Sequence, residues 1–136
     1  MALAINTPRG YELGETGTNE LPIKAAVHVF EGSGCSINAG FVGPLVAAEP
    51  FSGFAEHGFD NTAGAAGARN IRLRSRGRVK ANVVGVTGIT NVGTAVYMSD
   101  DNTFTLTGAG NTLIGKVWRH IAATHCIVDF KADYVA

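Results

Sequence analysis

Ile71-Arg72-Leu73-Arg74-Ser75-Arg76-Gly77-Arg78-Val79-Lys80 is the stretch that decides the fold. Ile71, Leu73, Ser75, Gly77 and Val79 alternate strictly with Arg72, Arg74, Arg76, Arg78 and Lys80. Successive side chains of a strand point to opposite faces, so this period of two predicts a strand with one apolar and one basic face. At about 3.3 Å per residue, the basic face is a stripe roughly 27 Å long. Together with Arg69, these residues are six of the chain's eleven cations, with no acid among them, which leaves five cations against eleven acids elsewhere. The formal net charge is zero, yet the chain is electrically polarised: a basic strand on an otherwise acidic body.

Downstream, Val83 to Val86 has the composition of a short apolar strand. Val96-Tyr97-Met98 and Thr103 to Leu106 flank the polar loop Ser99-Asp100-Asp101-Asn102 in the form of a hairpin. The segment 111–123 is open between two readings. Leu113, Ile114, Val117, Trp118 and Ile121 match helical spacing with Asn111 as a cap, while the Val and Ile content and Gly115 allow a strand. Cys126 to Phe130 is a closing strand.

Upstream, Phe51 to Ala55 reads as a strand and Asp60 to Gly67 as a loop of small and turn-forming residues. Cys35 to Ile37 and Phe41 to Val46 are strands bounded by the turns Glu31 to Gly34 and Asn38 to Gly40. Ile23, Ala25, Val27 and Val29 share one face of a further half-buried strand. Residues 1–19 contain Pro8, Gly10, Gly14 and Gly17 and no sustained periodicity. They predict an extended arm outside the packed core, frayed or ordered on a partner. Residues 20–136 then form a single β-rich domain. About eight short strands between glycine turns predict an all-β fold, a small barrel or sandwich with little helix.

Composition agrees with one core: 136 residues leave no chain for a second. Eighteen glycines favour tight turns, and a charged share of 16% is low enough to imply surface covered by a partner. The amino terminus lacks a secretory signal and no segment approaches a membrane span, so synthesis in the cytosol and no membrane partner are expected. Cys35 and Cys126, without CxxC spacing, read as buried small hydrophobes rather than a zinc site or disulfide.

Little in the sequence points to catalysis. His125 and Cys126 are neighbours on a strand and so face opposite ways, which disfavours a Cys/His dyad. His28, His57 and His120 stand alone, without HxH or HExxH spacing. Asp100, Asp101 and Asn102 suit turn geometry, and the further oxygen ligands that calcium needs are not in view. The glycine clusters match no phosphate-binding pattern. No enzyme activity, cofactor or metal is expected.

The basic stripe, Arg69, Arg72, Arg74, Arg76, Arg78 and Lys80, has three readings: a solvated face that discourages edge-to-edge aggregation, a track for nucleic-acid phosphates, or a contact with an acidic protein surface. No aromatic residue interleaves it to stack bases, so no nucleic acid is expected. Within the arm, the apolar residues Leu3, Ile5, Tyr11 and Leu13 join the stripe as candidate interface residues.

Several segments in order carry a family resemblance. They are Glu20-Leu21-Pro22-Ile23-Lys24, Phe30-Glu31-Gly32, Pro50-Phe51-Ser52-Gly53-Phe54-Ala55, Asp60-Asn61-Thr62-Ala63-Gly64, Arg74-Ser75-Arg76-Gly77-Arg78-Val79, Val92-Gly93, Val96-Tyr97-Met98-Ser99-Asp100-Asp101, Phe104, and Ile114-Gly115-Lys116-Val117. In this order and spacing the chain resembles the bacteriophage capsid cement, or head decoration, proteins. That group was formerly a domain of unknown function and is sometimes labelled recombinase-like. The resemblance implies a barrel or tulip-like fold, a strand near Ile114 to Trp118, and no enzyme activity. It also implies an oligomer, a homotrimer or else a dimer, on the outer capsid surface of the virion, with the major capsid protein as partner. The competing function is a recombination-associated nucleic-acid binder that uses residues 69–80.

Overall fold

The computed structural model describes residues 1–134, and of residues 12–16 the backbone only. Eleven strands follow one another among the described residues: β1 (Tyr11–Pro22), β2 (Val27–Val29), β3 (Gly34–Asn38), β4 (Phe41–Pro44), β5 (Phe51–Ala55), β6 (Phe59–Asn61), β7 (Asn70–Val84), β8 (Ala95–Met98), β9 (Phe104–Thr105), β10 (Thr112–Ala122) and β11 (His125–Lys131). A single 3-10 turn, Ile89–Asn91, lies between β7 and β8.

The alternating stretch is the core of β7, and its burial alternates over the whole strand: Ile71, Leu73, Ser75, Gly77, Val79, Ala81 and Val83 are buried. The apolar run at Val83, expected as a strand of its own, continues β7 until Gly85, at φ 98°, ends it. Each edge of β7 changes partner along its length. β5 at Leu73 and Arg74 gives way to β11 on one edge, and β1 gives way to β9 on the other. The circuit β7, β11, β10, β8, β9 and back to β7 closes a five-stranded barrel, and β5, β3 and β4 continue outward from the first half of β7. Closure removes the free edges that an open sheet would expose.

Because β7 runs from the β5-β3-β4 extension into the barrel of the same sheet, it serves two cores where the chain length predicts one. Ile71 and Leu73 pack with Ile23, Val29, Cys35, Val42 and Ala55. Val79, Ala81 and Val83 join Phe51, Phe54, Met98, Phe104, Ile114, Val117, Val128 and Phe130 inside the barrel. Phe54 is the hinge of the aromatic cluster, edge-on to Phe51 at 5.4 Å and to Phe130 at 4.8 Å. The close approach of β5 to its antiparallel neighbour β7 requires a glycine. Gly53 sits at φ 126°, and a Cβ there would lie 2.5 Å from the Arg74 carbonyl oxygen.

Segment 111–123 is a strand, and its helix-like spacing has a structural cause. The register of β10 slips between Leu113 and Gly115 against β8, and between Val117 and Arg119 and again between His120 and Ala122 against β11. A bulge adds one residue to the bulged strand. Burial in β10 therefore runs Thr112, Ile114, Val117, with a step of two followed by a step of three.

Two other expectations are corrected. The alternation from Ile23 to Val29 is not one strand: a turn at Ala25 and Ala26, the latter at φ 58°, separates β1 from β2. The amino-terminal segment is extended, but it lies on its own chain. From Tyr11 to Pro22 it is β1, paired antiparallel with β7. Before that, the Thr7 amide donates to the Glu31 carbonyl at 2.7 Å, and Arg9 Nε donates to the Gly32 carbonyl at 2.8 Å. The Leu3 amide donates to Asp101 Oδ1 at 2.9 Å. These bonds use main-chain groups, one arginine and the Asp101 carboxylate, so the segment needs no apolar periodicity to dock.

Glu49 ties the second core together. Its carboxylate accepts from Lys24 Nζ at 2.8 Å, Ser36 Oγ at 2.7 Å and Asn38 Nδ2 at 3.0 Å. Burial would raise this carboxyl, but the three donors and the Lys24 charge outweigh it and hold Glu49 at about 2.

Candidate interaction face

β1, β7, β11 and β10 lie side by side. Residues directly opposite one another in antiparallel neighbours share a face, so the register builds the outer surface in rows. One row runs Gly17, Arg76, Lys131; the next Arg78, Asp129, Lys116; the next Lys80, Ile127, Arg119. The stripe is thus widened by three cations from β10 and β11 that are remote in sequence.

Part of the stripe is matched within the chain. Arg72 Nη2 lies 3.5 Å from Glu20 Oε1, Arg74 Nη2 3.7 Å from Glu56 Oε2, and Arg78 Nε 3.8 Å from Asp129 Oδ1. Partly exposed pairs of this kind each contribute roughly 0.2–1 kcal/mol. Aromatic rings support the same arginines: Arg74 stands 4.3 Å from the Tyr11 ring centroid and Arg78 3.9 Å from that of Trp118, while Arg69 lies 4.7 Å from Phe59. Sequence inspection finds no aromatic within the stripe, yet these rings come from β1, β6 and β10. Their contribution is invisible until the strands are paired.

The candidate interface residues fall into two groups. Arg72, Arg74, Arg76, Arg78 and Lys80 form the outward row of β7, with Arg69 just before it, and Tyr11 joins them, half-buried between Arg74 and Phe130. Burial pushes the Tyr11 phenol up to about 12, against the pull of the Arg74 and Arg9 charges. Leu3 and Ile5 are elsewhere, on the segment that crosses the Glu31 turn and the β8–β9 loop; Ile5 is 73% exposed. Leu13 lies outside the described residues.

The loop between β8 and β9 is a structural node. Asp101, 3% exposed, accepts from the Leu3 amide and, through Oδ2, from Ser33 Oγ at 3.3 Å, and burial raises its carboxyl. Arg9 Nη2 donates to Asn102 Oδ1 at 2.7 Å. Among the described residues, no three His, Cys, Asp or Glu side chains converge to hold a metal ion. Cys126 is buried while His125 is exposed, on opposite faces of β11. No helix among the described residues is long and apolar enough to cross a membrane.

Large apolar side chains remain on the surface beside the cations. Trp118 and Ile121 of β10 are each 42% exposed, and the bulge between Val117 and Arg119 sets Trp118 against Arg78. The face therefore combines charge with apolar area on a rigid scaffold. No protein-family model, curated protein or solved structure matches the chain.

Proposed function

We propose that this chain is a structural capsid cement protein that binds the outer surface of a phage head and stabilises contacts between major capsid subunits. The observation that carries this reading is the outer face of β1, β7, β11 and β10, where cations stand beside exposed Trp118 and Ile121 on a closed barrel. Mixed charged and apolar surface on a rigid support is suited to protein contact. The ordered segments from Glu20 to Val117 that resemble head decoration proteins support the same reading.

Cementing is a mechanical task. A protein that bridges capsid subunits adds interface that must be broken before they part, and identical copies, as a homotrimer, multiply each weak contact by avidity. The alternative, a recombination-associated nucleic-acid binder, draws on the cation stripe alone. Pairing of Arg72, Arg74 and Arg78 with carboxylates lowers the charge available to phosphates.

The test is co-sedimentation of purified protein with heads of its parent phage that lack it, followed by heating of decorated and bare heads. Saturable binding and a higher temperature of genome release are expected. Absence of head binding, with salt-sensitive binding to single-stranded DNA, would overturn the reading in favour of the alternative.

A further inference from the structure

Between the start of β1, opposite Val79, and β9, opposite Val83, the edge of β7 is met by the residues that precede β1: the Lys80 amide donates to the Gly10 carbonyl at 2.7 Å. At this seam a groove of about 290 Å³ is lined by Arg9, Asn82, Val84, Asn102, Thr103 and Phe104. Among these lining residues Arg9 alone is charged. Its Nε and Nη2 donate to neutral oxygens, the Gly32 carbonyl and Asn102 Oδ1, its guanidinium stands 5.4 Å from the Phe104 ring centroid, and no carboxylate of the described residues forms an ion pair with it. Burial pulls the Arg9 pKa down, against the opposing effects of Tyr11 and Asp101. A partly buried cation without an ion-pair partner is held at a cost that a bound anion relieves.

Both asparagines present donors. Asn102 Oδ1 accepts from Arg9, and Asn82 Oδ1 accepts from the Thr124 hydroxyl. Each keeps an amide nitrogen that finds no acceptor among the described residues. The neighbouring acids are already occupied. Asp100 accepts from the Asn102 and Thr103 amides at 2.9 and 2.8 Å, and Asp101 from the Leu3 amide. We propose that this groove binds a carboxylate, with Arg9 and the amide nitrogens of Asn82 and Asn102 as its donors. A monoanion matches the single arginine, whereas a phosphate dianion leaves charge unmatched. Val84, 60% exposed, adds an aliphatic lip suited to the methylene groups beside a carboxylate. The donors are in place whether or not the chain binds heads, and the carboxylate is borne by a small organic acid or by a side chain of the shell protein.

The experiment titrates acetate, amide-capped glutamate and inorganic phosphate at constant ionic strength, read from the side-chain NMR resonances of Asn82, Asn102 and Arg9 Nε. Saturable shifts with both carboxylates are expected. Asn82→Asp and Asn102→Asp each keep the oxygen that accepts within the chain and replace the donor nitrogen by a charged oxygen. Each is expected to raise the half-saturating concentration of capped glutamate about 10-fold or more, and Ala63→Glu, on an exposed loop elsewhere, less than about 2-fold. Thermal melts establish folding, and if one asparagine variant is unfolded the other decides. No saturable shift in wild type, or binding that both asparagine variants retain, overturns the site; shifts with phosphate alone overturn the carboxylate. Head binding by a folded asparagine variant separates the two sources: a loss of about 10-fold or more against wild type assigns the site to a shell side chain, and unchanged binding assigns it to a small organic acid. Wild type that shows the shifts but binds no heads upholds the groove and overturns the cement reading.

Discussion

Replacing Glu49 by Gln removes one charge and almost no volume, and so isolates what the carboxylate contributes. Glu49 is held at about 2 against an ordinary value of 4.5. At about 1.4 kcal/mol per pKa unit, the ceiling on its contribution is about 3.5 kcal/mol. The carboxylate is partly open to solvent, with 19% of its side chain exposed, and screening reduces the figure to about 1–2 kcal/mol. The sign follows from the direction of the shift. A depressed native pKa means that the unfolded chain binds the proton more tightly, so the stabilisation is complete above about pH 5.5 and is lost as pH falls from there towards about 2. By about pH 3, roughly 60% of it is gone.

Unfolding of 136 residues carries an entropy of about 0.29 kcal/mol/K, so 1 kcal/mol corresponds to about 3.5 °C. Glu49→Gln is expected to melt about 4–7 °C below wild type at neutral pH, with the gap narrowing by more than half near pH 3. Calorimetry or circular dichroism across that range measures it. An equal gap at both ends would refute the electrostatic account and assign the loss to packing. No gap at neutral pH would refute the role of Glu49 as a tie between Lys24, Ser36 and Asn38.

Three further outcomes follow from the packing. Phe54→Ala, which opens a cavity between Phe51, Phe104 and Phe130, should cost about 3–5 kcal/mol in urea unfolding. A loss under about 1 kcal/mol would mean that the barrel core does not depend on this ring. Arg9→Ala removes the donors to the Gly32 carbonyl and Asn102. Hydrogen exchange at the Thr7 amide should then quicken while that of β7 is unchanged; equal exchange in variant and wild type would show that the main-chain bonds hold the segment alone. Burial pushes the Cys35 thiol up to about 12 and also raises Cys126, so iodoacetamide at neutral pH should modify neither until the chain unfolds. Rapid labelling of Cys35 in the native protein would contradict its burial.

The all-β fold was legible because β7 carries its own periodicity: alternation of Ile71, Leu73 and Val79 with five cations needs no partner strand to be recognised. The rest was hidden for physical reasons that differ by element. β1 joins the sheet through main-chain hydrogen bonds at the edge of β7, and a strand held in that way need not advertise an apolar face. In β10, bulges change the burial step from two to three, and a three-residue step is also the signature of a helix. The candidate site was legible only as a stripe. Lys131, Lys116 and Arg119 stand beside it through register, and register is a property of pairing that no single segment contains. The same holds for its neutralisation. Glu20, Glu56 and Asp129 are 52, 18 and 51 positions from their arginines, so a stripe without a single acid in sequence becomes in space a face of paired arginines at Arg72, Arg74 and Arg78.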